Sequence, residues 1–150
     1  MEITEALQQL RVKDHKVAYQ ALEYLEQASR IDSQVYAHFA ELTSLLDHPQ
    51  SYVRTRGLLL IAANIQWDAQ GQFDAIAENY CQHIMDAKAI TARQCLQSLC
   101  RIIPYKQHLQ PLFGKMLRGA DFSGYADSMQ PLFEKDRAAA LAILETAQNS

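Results

Sequence analysis

Cysteine, glycine and proline are scarce in this chain of 150 residues, and each scarcity closes off a class of structure. The three cysteines, Cys81, Cys95 and Cys100, are odd in number and show no CxxC spacing, which suggests neither a disulfide framework nor a zinc site. On a helix the last two lie about 140° apart, so they read as small buried hydrophobes. Five glycines and four prolines, beside abundant Ala, Leu and Gln in a chain that is 49% hydrophobic, favour helix over strand. No period-two strand pattern is present. No apolar run is long enough for a membrane span, and the opening Met1-Glu-Ile-Thr-Glu-Ala-Leu7 carries charge where a signal peptide needs a basic start and an apolar core. The expectation is a cytoplasmic protein with no membrane association.

Chemical motifs are also missing. There is no P-loop, GxGxxG, GxSxG, HExxH or EF-hand loop. The histidines His15, His38, His48, His83 and His108 are scattered, without an i+4 partner at ligand spacing. No catalytic residue, metal or cofactor is expected, and the chain reads as a non-enzyme.

What is present is helical periodicity. Ile3, Ala6, Leu7 and Leu10 form a stripe on a first helix. Asp14 is a plausible N-cap for a second, with Ala18, Ala21, Leu22 and Leu25 inward. A third, capped by Asp32 or Ser33, buries Val35, Phe39, Leu42 and Leu46. The stretch Leu45 to Trp67 organises the rest: Pro49 suits the first turn of a helix, and residues 53–67 are so uniformly apolar or small that the helix must be covered on several sides. Gly57 inside it predicts a close helix approach. A fifth helix covers Phe73 to about Met85. The sixth runs from Ala89 to Ile103 with Ile90, Cys95, Leu96, Leu99, Ile102 and Ile103 as its core stripe. The seventh, Tyr105 to Leu117, should bend or split at Gln110 because of Pro111. The last begins at Pro131, with Ala138 to Leu144 close-packed. This makes an all-α chain of about seven to eight helices, sized for one domain over residues 1–150.

The pattern repeats. Leu46-Asp47 followed by Val53-Arg54 recurs as Met85-Asp86 followed by Ala92-Arg93, with seven residues from Asp to Arg and a period of 39. A helix pair of that period stacks into a solenoid. Asp47, Arg54, Asp86 and Arg93 are therefore assigned to a structural ladder in which each arginine reaches a corner aspartate. On these residues, with Gly57, Ile61 and Leu96, the chain resembles the HEAT-repeat family, which places a corner Asp, a Val-Arg and small apolar residues in this way. Pro111 resembles that family's outer-helix proline. The match departs at Ala18, which stands in the arginine slot of the first unit, and at Asp121, which no Val-Arg follows. The resemblance implies a right-handed α-solenoid of stacked antiparallel helix pairs whose inner helices line a concave face.

Function is sought on that face. Arg54 and Arg56 point about 200° apart on one helix, so Arg56 is expected to face solvent or a partner. Tyr52, Arg56, Lys88, Gln94 and Arg101 are the candidate contacts for another protein, and an interaction scaffold or adaptor is the leading expectation. The alternative rests on charge. The net charge is −3, yet residues 87–120 hold no Asp or Glu while Lys88, Arg93, Arg101, Lys106, Lys115 and Arg118 fall there. Such a basic window, with Lys106, Lys115 and Arg118 at its end, suits nucleic acid. Trp67-Asp68 invites comparison with the DNA-glycosylase members of the HEAT-like group, which use aromatic residues and an Asp in a basic groove.

Overall fold

Eight α-helices and no strands, 77% helix in all, make up the computed structural model among its described residues, 1–149. The chain divides into two compact units, Met1–Gln72 and Phe73–Ser150. No helix among the described residues is long and apolar enough to cross a membrane.

The first unit holds α1 (Ile3–Gln9), α2 (His15–Ile31), α3 (Phe39–Ser44) and α4 (Ser51–Ala63). Asp14 opens α2 as expected, its carboxylate accepting from the N–H groups of Lys16 and Val17 at 3.0 and 3.3 Å. These would otherwise be orphan donors of the first turn. The third helix is shorter than its apolar stripe implies: Asp32 instead turns the chain by accepting from Gln34 N, and single 3₁₀ turns, Tyr36–His38 and Leu45–Asp47, flank α3. Pro49 lies just before α4, whose N-cap is Gln50. As expected, α4 buries residues around nearly its whole circumference, among them Val53, Leu58, Leu60 and Ile61. Gly57 marks the close approach: a Cβ there would sit 2.8 Å from Leu45 Cβ and 3.4 Å from the Leu42 carbonyl oxygen.

The second unit takes up most of α5 (Gln72–Gln82), then α6 (Ala89–Ile102), α7 (Gln110–Gly119) and α8 (Gln130–Gln148). Pro111 does split the seventh segment. Residues Gln107–Leu109 form a separate 3₁₀ turn, and Pro111 occupies the first turn of α7, where its missing N–H leaves nothing unpaired. Helix α8 packs against both α6 and α7. Tyr125 stacks on Phe133 with centroids 4.2 Å apart and planes 10° from parallel, beside Phe122. Two core assignments are corrected. Ile90 is 74% exposed, because on a wheel of about 100° per residue it lies about 120° from Leu96 and off the buried stripe. Of residues 138–144, Ala140 and Leu144 are buried, whereas Ala138, Ala139 and Ala142 are exposed.

Candidate partner-binding surface

Arginine placement is where the structure departs most from the sequence pattern. Arg56, expected at the surface, is only 7% exposed. Its guanidinium donates to the carbonyl of Leu10 at 2.8 Å, approaches His15 Nδ1 at 3.3 Å, and lies 5.0 Å from the centre of the Tyr52 ring. Leu10 is the C-cap of α1, so Arg56 satisfies an orphan carbonyl at the negative end of that helix. Burial lowers the guanidinium's pKa, with Tyr52 acting in the opposite sense. Tyr52 is half-buried and meets the His15 ring edge-on at 4.9 Å. Both residues are thus committed to packing within the first unit.

Of the two ladder arginines, Arg93 takes a partner outside the corners. Arg54 holds its corner through backbone, donating to the carbonyls of His48 and Pro49 at 2.9 and 3.1 Å, while Asp47 is exposed. Arg93 pairs with Asp136 of α8 at 2.8 Å, not with a corner aspartate. The carboxylate of Asp86 accepts from Lys88 N at 2.9 Å and lies 2.9 Å from His83 Nδ1. Arg137 repeats the carbonyl-capping role on α7, donating to the carbonyls of Leu117, Arg118 and Ala120. In three of these four arginines the planar fork meets carbonyls that a helix or corner leaves unsatisfied.

The basic window is offset from outside itself. Arg93 is drawn to Asp136, and Lys106, 4% exposed, pairs with Asp74 at 3.0 Å. His108 Nε2 reaches the other oxygen of Asp74 at 2.6 Å. Burial acts to raise the Asp74 pKa, but hydrogen bonds from Lys106 and His108 outweigh it and hold the carboxyl below its ordinary value. Lys106 is therefore removed from the candidate surface, because its ammonium is spent on tying α5 to the turn before α7. Lys88, Arg101, Lys115 and Arg118 are exposed.

Two surfaces of the second unit carry the argument forward. One is the outer face of α6, where Ile90, Gln94, Gln97 and Arg101 follow one another at spacings of four, three and four residues. At about 100° per residue they form one narrow stripe. Ile90, Gln97 and Arg101 are exposed and Gln94 is half-buried, with Lys88 exposed just before the helix. Sequence reasoning named Lys88, Gln94 and Arg101 but missed Ile90 and Gln97, which the helical wheel places beside them. The other surface is an apolar groove of about 360 Å³ between the end of α5 and α7, lined by Ile84, Met85, Lys115, Met116 and Gly119 among others.

Trp67 and Asp68 are tied into the first unit. The indole N–H donates to the Ser29 carbonyl at 2.8 Å. The Asp68 carboxylate, 5% exposed, accepts from Tyr36 Oη and from the N–H of Gln72 at the start of α5. Burial and the bond to Asp68 push Tyr36 up to about 12. Among the described residues no three His, Cys, Asp or Glu side chains converge as metal ligands do. Cys81 and Cys95 are buried, and burial pushes the Cys81 thiol up to about 12, away from the thiolate that reactivity requires. The chain matches no protein-family model, and no curated protein or solved structure matches it.

Proposed function

We propose that this chain is a non-enzymatic interaction module that binds another protein through the exposed face of α6. The observation that carries the reading is Ile90, 74% exposed at the head of a stripe that continues through Gln94 and Gln97 to Arg101. Single exposed hydrophobes are ordinary. What favours a contact surface is the combination: a large aliphatic anchor, an arginine at the far end and a lysine beside it, with the Asp136 carboxylate of α8 already bound by Arg93 and Gln97. Arginine and large apolar side chains flanked by adaptable amides are the composition of an interface core with a polar rim. The HEAT-like solenoid belongs to the same proposal. Its support is the 39-residue recurrence of the Asp–Arg spacing at residues 47–54 and 86–93.

The test is a pull-down from native-source lysate, with nuclease-treated and untreated halves, comparing the natural chain with Ile90→Asp/Arg101→Glu. A stoichiometric protein that survives nuclease and is lost from the double variant is the expected result. Retention of that protein by the variant refutes the α6 assignment. Recovery only without nuclease favours the nucleic-acid reading, which then rests on Lys115 and Arg118, and its affinity should fall steeply with salt.

A further inference from the structure

The groove between α5 and α7 is concave, solvent-accessible and unfilled by the chain's own side chains. Met85, in the 3₁₀ turn after α5, is 50% exposed at its wall. Gly119 closes α7 on the opposite side, and a Cβ built there meets nothing within 4 Å. Its φ is not left-handed, so the missing side chain is not a backbone requirement. The floor is apolar, from Ile84 and Met116, and Gln82 and Lys115 supply polar lining. Two methionines make such a surface adaptable, because an unbranched thioether repacks around differently shaped anchors at little cost.

Charge discriminates among occupants. Lys115 lines the groove and Lys88 follows Met85 by three residues, both exposed, whereas the guanidinium of Arg118 folds back over Gly114 beside Leu144. Of the three acidic groups near these positions in sequence, none lines the groove and two are occupied. The Asp86 carboxylate is buried against His83 and the Lys88 N–H, and that of exposed Asp121 accepts from the Ser123 N–H. Exposed Glu78 stands one turn before Gln82.

We propose that this groove is a second binding site, beyond the α6 face, for an acidic amphipathic helix of a partner protein. The partner's apolar side chains at i, i+3 and i+4 fill the space opposite Gly119 and between Met85 and Met116. Its glutamates or aspartates meet Lys115 and, beside it, Lys88. This is the helix-in-groove mode of recognition, in which apolar anchors supply affinity and flanking charge supplies selection.

The experiment is a display selection on the full chain with helical peptides about 16 residues long, roughly four turns. Leucine is fixed on one face, and the remaining positions are drawn equally from Glu, Lys, Gln and Ala. Enrichment of Glu over Lys is expected, with amide NMR shifts at Gln82, Met85, Met116 and Gly119 on adding the selected peptide. Gly119→Leu fills the groove and should weaken binding at least about tenfold, 1.4 kcal/mol or more, without lowering the melting temperature. Lys115→Glu should reverse the charge preference of the selection. The proposal is overturned by no enrichment, by enrichment of Lys or of no charge, by shifts confined to Ile90 and Arg101, or by a Gly119→Leu variant that binds as before. A dimer in sedimentation that Gly119→Leu dissolves makes the occupant a second copy and also overturns it. Because Ile90→Asp/Arg101→Glu leaves the groove intact, loss of either site is read separately from the other.

Discussion

Replacing Arg56 by alanine removes three interactions at once from the first unit. The charge-assisted bond to the Leu10 carbonyl, 2.8 Å long, is of the kind worth about 1.5–3 kcal/mol. The guanidinium over the Tyr52 ring adds about 0.5–1 kcal/mol. Against these stands the relief of a desolvated cation, because burial lowers the Arg56 pKa and taking a charge out of water is unfavourable. The Leu10 carbonyl, left at the end of α1 without this donor, works in the other direction. The net expectation is a destabilisation of about 2 kcal/mol. It is measurable by urea unfolding followed at 222 nm, with the slope checked for loss of two-state behaviour. Arg56→Met keeps much of the aliphatic stem and should recover only the packing share, while Arg56→Lys keeps the charge but not the fork. Hydrogen exchange should show the loss concentrated at α1, since that is the helix whose end the arginine closes. A change under about 0.5 kcal/mol, the range of an ordinary surface substitution, would refute the buried capping role and return Arg56 to the solvent-facing position its sequence spacing suggests.

Gly57→Ala should destabilise by about 1–3 kcal/mol, although alanine is the better helix former by about 1 kcal/mol. The new methyl meets Leu45 Cβ at 2.8 Å, and a stabilised variant in the same urea assay would show that α4 and the Leu45–Asp47 turn are free to separate. A double-mutant cycle on Arg93→Ala and Asp136→Ala should give a coupling of about 0.5–1.5 kcal/mol, a half-buried pair lying between the exposed and buried cases; zero coupling refutes the α6–α8 bridge. Asp74 carries a pH dependence of definite sign. Its folded pKa is depressed, so the stability it contributes is present above the unfolded value of about 3.9 and is lost as pH falls through the folded one. Its side chain is 37% exposed, which limits the effect to a few tenths of a kcal/mol. Asp74→Asn should flatten the stability profile below about pH 4, and an unchanged acid limb would remove the Lys106–Asp74–His108 cluster from the account.

The sequence by itself determined the helices. Asp14, Pro111 and Pro131 act on their own neighbourhoods, through a cap or a missing N–H, and the 3.6-residue recurrence of apolar side chains is likewise local. Gly57 was equally legible as a point of close approach, because glycine inside a helix needs a packing reason. The exposure of Ile90 is legible as well, since about 120° from Leu96 on the helical wheel lies off the buried stripe. The tertiary structure alone decided where the long cationic side chains go. Arg54 and Arg56 stand on one helix, yet one closes its own corner and the other reaches back to Leu10, 46 residues away. Arg93 left the corner that its spacing implied for Asp136, 43 residues on, and Lys106 vanished from the basic window into a pair with Asp74. A guanidinium or ammonium on a flexible stem takes whichever carbonyl or carboxylate the fold brings within reach. That choice is set by packing through space, which no spacing along the chain encodes.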